Sequence, residues 1–408
     1  MTEEADFSIG ARIRYYRERI GLTQKAMGEL MGKTENWAHK VEKGLLPIDR
    51  LSVLIDLARV LRVSDLSDLT GGFLSGAVTG SQFQHEAVPA IRRALSLPAS
   101  LLPAGVSSVP VKDFAEGVAD AWTVYETQEK DRYANVGSRL PVLLCQGHAA
   151  LRDADSTEEE HEAVRQIISL YGLHQIWLRR VGEPVLARIA ADRGVALADG
   201  LGDPALLAAA TWNLSCVLTT SGDVGDSVAL ARETIASCRP GENASPEHLS
   251  AYGALHLQAA VAAVRANQAP VGHDLLREAT KIARRLGRDR NDWHACFGPS
   301  NVAMHAVHLA AEEGDSGEAL RLADSVEVNP EMPLERRTRY LIEVMHCNRI
   351  QKDDFATVYM LRKVTEQSPE EVRYSPLVRE AVTDLMKREK PTWRADLRRV
   401  AQHIGVTA

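Results

Sequence analysis

Residues 10–44 read GARIRYYRERIGLTQKAMGELMGKTENWAHKVEKG, and the punctuation of this stretch decides how the rest of the chain is read. Ile13, Tyr16 and Ile20 recur at helical spacing until Gly21 breaks the run. Thr23 then stands where a short side-chain oxygen caps a helix start, which predicts a second helix over 24–31, ended by Gly32. Thr34 is placed to cap a third helix from about Glu35 to Lys43, stopped at Gly44. Two helices joined by so short a turn cross steeply, and the first turn of the later one projects outward. That geometry suits the major groove of DNA.

The charge is distributed to match. Residues 10–50 carry nine Lys or Arg against five Asp or Glu, whereas the whole chain of 408 residues has a net charge of -7. A small basic module on an acidic body argues against nucleic acid running over the entire surface. A composition of 45% hydrophobic and 25% charged residues is ordinary for a soluble globular protein, and the length suits two or three domains. The five cysteines, at 145, 216, 238, 296 and 347, are scattered, odd in number and without a Cys-x-x-Cys pair, which fits free thiols in a reducing cytoplasm. The opening MTEEADFSIG is acidic where a signal peptide is basic, and no run of about 18 apolar residues occurs, so a cytoplasmic location with no membrane association is expected.

The segment from Ile9 to Thr70 resembles the Xre-type, phage-repressor-like DNA-binding domain, with Gly21-Leu22-Thr23-Gln24 and Val41-Glu42-Lys43-Gly44 as its most specific motifs. The resemblance implies that Gln24 buttresses the complex at the phosphate backbone of double-stranded DNA. It implies that Glu35, Asn36 and Lys40 read bases, and that Arg17 and Glu42 form a structural pair. Side-chain chemistry supports these roles: Asn bonds adenine in a bidentate way, a carboxylate accepts from the cytosine amino group, and Lys donates to guanine. Arg12, Arg14, Lys25, Lys33 and Lys43 are candidates for holding phosphates, with Thr34 and His39 on the same helix entry. Trp37 either fills the space left by the small Ala38 or stacks along a sugar-phosphate edge. Gly28 stands where the family has Ala, a place where helices two and three must approach closely.

Past this point Pro47 opens another helical pattern, with Leu51, Leu54, Ile55, Ala58 and Leu61 on one face, and Ser64 is placed to cap a short fifth helix through Leu69. These complete a head over 8–70. Gly, Ser and Pro then punctuate a linker over 71–110, interrupted by a bridging helix near 85–95. From 111 to 408 the sequence keeps a helical period with Ala-rich faces and shows no run of strand residues, so the chain is expected to be all-α. Turns at Gly182-Glu183, Gly222-Asp223, Asn267-Gln268, Gly314-Asp315 and Lys352-Asp353 are spaced by 40, 45, 47 and 38 residues. Similar second helices follow, over 184–198, 224–237, 270–286 and 317–326, and a weaker unit spans Asp113 to Leu144. This period resembles stretched tetratricopeptide-like repeats stacked into a solenoid with a concave face.

Aligning the repeats on their turns puts Asn213, Gln258, His305 and Glu343 at equivalent positions of the first helices. Asn301 and Arg339 stand one turn earlier, and His308 and His346 nearly one turn later. Such side chains either bond between repeats or contact a ligand, and amides offer the donors and acceptors that an extended peptide requires. His305-x-x-His308, with His294, Cys296, His346 and Cys347 elsewhere, lacks the second spaced pair of a metal site, so no metal and no cofactor is expected. There is no P-loop, no dinucleotide fingerprint, no His-Glu-x-x-His and no Gly-x-Ser-x-Gly, and Glu158 to Glu160 with His161 reads as a solvated helix start; no enzyme is expected. The architecture resembles regulators that join this head to tetratricopeptide repeats, including quorum-sensing receptors. That resemblance implies a homodimer on a pseudo-palindromic operator, with a short signalling peptide as effector. The alternative is a regulator whose repeats dock a protein and sense no small ligand.

Overall fold

A computed structural model describes residues 9–46, 48, 51–61, 63, 85–97, 109–388 and 390–404. It divides into two compact units, Met1–Gln84 and His85–Ala408. The described residues contain helices and one isolated bridge between Arg290 and Phe297, with no strand among them. The expected fifth helix over 64–69 and the stretches 71–84 and 98–108 lie outside the described residues.

The first unit builds α1 (Ile9–Arg19), α2 (Gln24–Leu30), α3 (Glu35–Glu42) and α4 (Leu51–Leu61). The two threonines act as the sequence predicts: Thr23 Oγ1 accepts from Ala26 N at 3.1 Å and Thr34 Oγ1 from Trp37 N at 3.2 Å. Ile13, Met27, Ala38, Val41, Leu57 and Leu61 make a small core, with Trp37 packed against it. Helix contact is close enough to dictate residue size. A Cβ on Gly28 would lie 2.7 Å from the Thr34 carbonyl oxygen, and one on Gly10 would lie 2.5 Å from that of Val41.

The second unit starts with α5 (Val88–Ser96), whose Val88, Ile91 and Leu95 enter the same core as the repeats that follow, so this helix belongs to the body rather than to a free connector. Next come α6 (Val111–Thr127), α7 (Arg132–Arg152), α8 (Thr157–Arg180), α9 (Pro184–Leu201), α10 (Pro204–Ser221) and α11 (Val224–Ser237). The chain continues through α12 (Pro246–Arg265), α13 (Ala269–Leu286), α14 (Pro299–Glu312), α15 (Ser316–Ala323) and α16 (Leu334–Ile350). It ends with α17 (Asp354–Gln367), α18 (Pro369–Tyr374), α19 (Pro376–Met386) and α20 (Arg394–His403).

One turn chemistry recurs. Gly182, Gly222, Asn267, Gly314 and Lys352 all have positive φ, between 59° and 90°. In each case the next residue's N–H reaches back five positions, as in Asp223 N to Leu218 O at 2.9 Å and Gln268 N to Ala263 O at 2.8 Å. This is the Schellman ending, which satisfies the last carbonyls of one helix and turns the chain into the next.

The concave face expected of stacked hairpins is spanned by contacts between distant parts of the sequence. Arg180 at the end of α8 pairs with Glu335 at the start of α16. Glu126 on α6 accepts from Asn291 Nδ2 at 2.8 Å and lies 2.8 Å from His294 Nδ1, while the His294 ring stacks on Trp122 at 3.7 Å. Arg132, at the start of α7 and fully buried, donates to Glu371 of α18 at 2.6 Å. Arg180 and Glu335 also line a cavity on this face.

Candidate functional site

On the head, most of the side chains predicted to face DNA are exposed, with Gln24 and Trp37 half-buried. Thr34, Glu35 and Asn36 at the entry of α3, and His39, Lys40 and Lys43 further along, are all exposed, as are Arg14, Lys25 and Lys33. Arg14 spends its Nε on Glu18 at 2.8 Å. Trp37 is half-buried against the core, the packing alternative of its two readings. Beneath this surface lies a buried polar network. Arg17 Nε and Nη2 donate to the two Glu42 carboxylate oxygens at 2.5 and 3.1 Å, and Arg17 Nη1 donates to Leu22 O at 2.7 Å. Gln24 Nε2 also donates to Glu42, at 2.7 Å. The residue expected at the phosphate backbone is thus held by its amide nitrogen in a fixed position at the start of α2. Tying α1, α2 and α3 to one carboxylate fixes the angle at which α3 presents its tip.

In the body, a cavity of about 130 Å³ brings together six of the eight side chains predicted to contact ligand: Gln258, Asn301, His305, His308, Arg339 and Glu343. The other two are outside its wall. Asn213 accepts from Gln175 Nε2 at 2.7 Å and donates to Ala209 O at 3.3 Å, a bond between neighbouring helices. His346 lies 3.4 Å from Arg349 Nη2, half-buried.

Several of the cavity's polar groups are already committed. Gln258 Nε2 donates to Thr219 Oγ1 at 2.9 Å, and Asn301 Nδ2 donates to Cys296 O at 2.5 Å. His305 Nδ1 lies 2.8 Å from Asn301 O, and burial pushes this imidazole down to about 3, so it is neutral at pH 7. His308 lies 3.4 Å from both Glu312 and Glu343, and burial lowers its pKa as well. No three His, Cys, Asp or Glu side chains converge on a metal position among the described residues.

Sequence reading missed the arginines. Arg179, Arg180, Arg265 and Arg336 line the cavity together with Glu335 and Trp212. They stand at helix ends, where charged residues are ordinarily solvated, and nothing in the repeat period shows that α8 and α16 meet.

Comparison with known proteins bears on the head alone. Residues 8–69 match a helix-turn-helix domain family. No curated protein matches the chain. Among solved structures it is similar to Bacillus thuringiensis PlcR in complex with the peptide PapR7 and DNA, at 14% identity over 69% of this chain and 96% of that one. The TM-score of 0.27 is too low for that likeness to carry a partner or a mechanism across. No helix among the described residues is long and apolar enough to cross a membrane. The chain joins an amino-terminal helix-turn-helix domain to an all-helical repeat body.

Proposed function

We propose that this chain is a sequence-specific transcription regulator of the Xre type. Residues 8–70 bind an operator, and the body, which begins at His85, dimerises and senses a ligand. The observation that carries the reading is α3 itself: Glu35, Asn36 and Lys40 are exposed at the tip of a helix whose pose is fixed by the buried Arg17–Glu42–Gln24 network. One head makes few contacts, so two heads on a two-fold dimer, spaced about 34 Å apart, would read a pseudo-palindrome. The polar cavity favours a ligand sensor over a protein-docking body, which requires an exposed apolar patch instead. At about 130 Å³ the cavity is well below the roughly 300–1,000 Å³ of pockets that take drug-sized molecules. A peptide effector, the class implied by the resemblance, would enter only after the body opens, and it would shift operator affinity by its preference for one form of the body over the other.

The test is selection of genomic DNA by the purified full chain, followed by measurement of the recovered site at several salt concentrations. Binding should weaken steeply with salt through counterion release. Asn36→Ala should cost about 1–3 kcal/mol on the recovered site and almost nothing on unrelated duplex. Equal losses on both duplexes, or recovery of no preferred sequence, would remove the base-reading role.

A further inference from the structure

The cavity in the body holds more positive charge than its own carboxylates neutralise. Five guanidinium groups, on Arg179, Arg180, Arg265, Arg336 and Arg339, share its wall with only Glu335 and Glu343. Arg180 is paired with Glu335, and Arg265 with Glu312 behind the wall. Arg336 Nε donates to the neutral Asn301 Oδ1 at 2.7 Å. Arg179 and Arg339 have no hydrogen bond and no ion pair with any described residue, and Arg179 Nε is sealed from solvent without an acceptor. Glu343 Oε2 is likewise buried without a donor.

An unpaired guanidinium away from water is costly, and arginine does not escape the cost by shedding its proton. The imbalance shows in the proton affinities. The charge of Arg180 together with burial brings Arg339 down to about 10, and burial with Arg180 lowers Arg179 too. A protein that keeps this arrangement has left room for a counter-charge that is not part of the chain.

The size of the space limits what that charge belongs to. At about 130 Å³, below the roughly 300–1,000 Å³ of drug-sized pockets, the cavity suits a small molecule. Trp212, Leu257 and Val261 supply apolar wall for a short carbon skeleton, and the orphaned Glu343 oxygen asks for a hydroxyl or ammonium hydrogen. We propose that the cavity is a receptor for a compact organic anion, its carboxylate or phosphate clasped by the forked donors of Arg179 and Arg339. This rests on reading the body as a ligand sensor and names the chemistry it senses. Because Arg179 lies at the end of α8 and Arg339 in α16, such an anion would bridge two helices that line the cavity and would stabilise their contact.

The experiment uses the full chain and thermal melting, at matched ionic strength, with citrate as the carboxylate probe, 3-phosphoglycerate as the phosphate probe and glycerol as the neutral control. At least one anion should raise the melting temperature of the body by about 2 °C or more and bind with a Kd below about 1 mM, while glycerol does neither. Arg179→Met and Arg339→Met, from two different helices, should each weaken that binding at least tenfold. Arg179→Met, checked for helicity, should melt without ligand at or above the wild-type temperature, because it removes a guanidinium whose Nε is sealed from solvent without an acceptor; Arg339→Met, at a half-buried side chain that also faces Glu335 and Glu343, is the second arm for binding alone. A shift that survives in both variants would place the anion on the basic head instead and overturn the proposal. So would a ligand-free Arg179→Met variant that unfolds earlier, since it would give that guanidinium a structural role. A parallel arm adds spent-medium extract stripped of anions on an exchange resin. If the stripped extract shifts melting and the pure anions do not, the sensor reading stands and the anion is wrong; if neither acts, both fall.

Discussion

Glu42 accepts three hydrogen bonds, two from Arg17 and one from Gln24, with its side chain only 2% exposed. A carboxylate in that position is stable only because every lone pair it turns inward meets a donor. Glu42→Ala would leave the Arg17 guanidinium, 10% exposed, without its counter-ion. We expect a loss of about 3 kcal/mol from the head, read as a lower first transition in chemical denaturation. DNA affinity should fall in proportion on all sequences, because the variant loosens the pose of α3 without touching a base contact. Unchanged stability would mean that the network forms only on DNA. The pair itself was legible from family resemblance at Arg17 and Glu42. The role of Gln24 within it was not, because a hydrogen bond across 18 residues leaves no spacing signal.

At the scale of helices, the chain is written most clearly in its turns. All five hairpin turns that the repeat period predicts take a left-handed residue, three of them Gly and the others Asn267 and Lys352. Elements whose ends carry a cap or a Schellman residue were therefore placed within a few residues, and the second helix over 224–237 is observed as Val224–Ser237. Pro47, where the α4 pattern is expected to open, lies outside the described residues, and the described helix covers Leu51–Leu61. Close approach between helices is hard to read before the fold is known, yet it is testable afterwards. Gly10 faces the backbone carbonyls of Val41 and Glu42, at 2.5 and 2.6 Å from a built Cβ, with no flexible side chain to yield. Gly10→Ala gains up to about 1 kcal/mol of helix propensity, against about 1–3 kcal/mol or more for separating α1 from α3. A net loss in the melting temperature of the head is expected. A gain would show that α1 shifts freely.

For the repeat body taken whole, the decisive property is closure, which no local signal encodes because its contacts join residues 155 to 239 apart in sequence. Closure buries histidines, and that sets a pH dependence. His305 is pushed down to about 3 and His174 to about 4, both chiefly by burial, with Arg336, His308 and Glu343 facing His305. The unfolded chain takes up these protons near pH 6.5 and the folded body does not, so stability is complete above about pH 6.5 and falls continuously as pH drops toward 4. Glu335, held down to about 2 by Arg180 and Arg339 despite its burial, extends the loss below about pH 4.5. Melting from pH 7.5 to 4.5 should show this slope, and His305→Asn should flatten it; an unaltered slope would show that the imidazole does not carry it. The same closure predicts where the body opens. Arg132 is completely buried, with Nε and Nη1 unpartnered, and it depends on Glu371 and Ser368 for its bonds. Glu371→Ala strands that charge and should cost about 3–5 kcal/mol. The double variant Arg132→Met, Glu371→Leu, which leaves no charge unpaired, should recover most of it. Hydrogen exchange in the single variant should quicken first in α18 and at the start of α7, leaving α12 and α13 protected. Uniform acceleration across all repeats would mean that the arc stands or falls as one unit and that these contacts are not a separate latch.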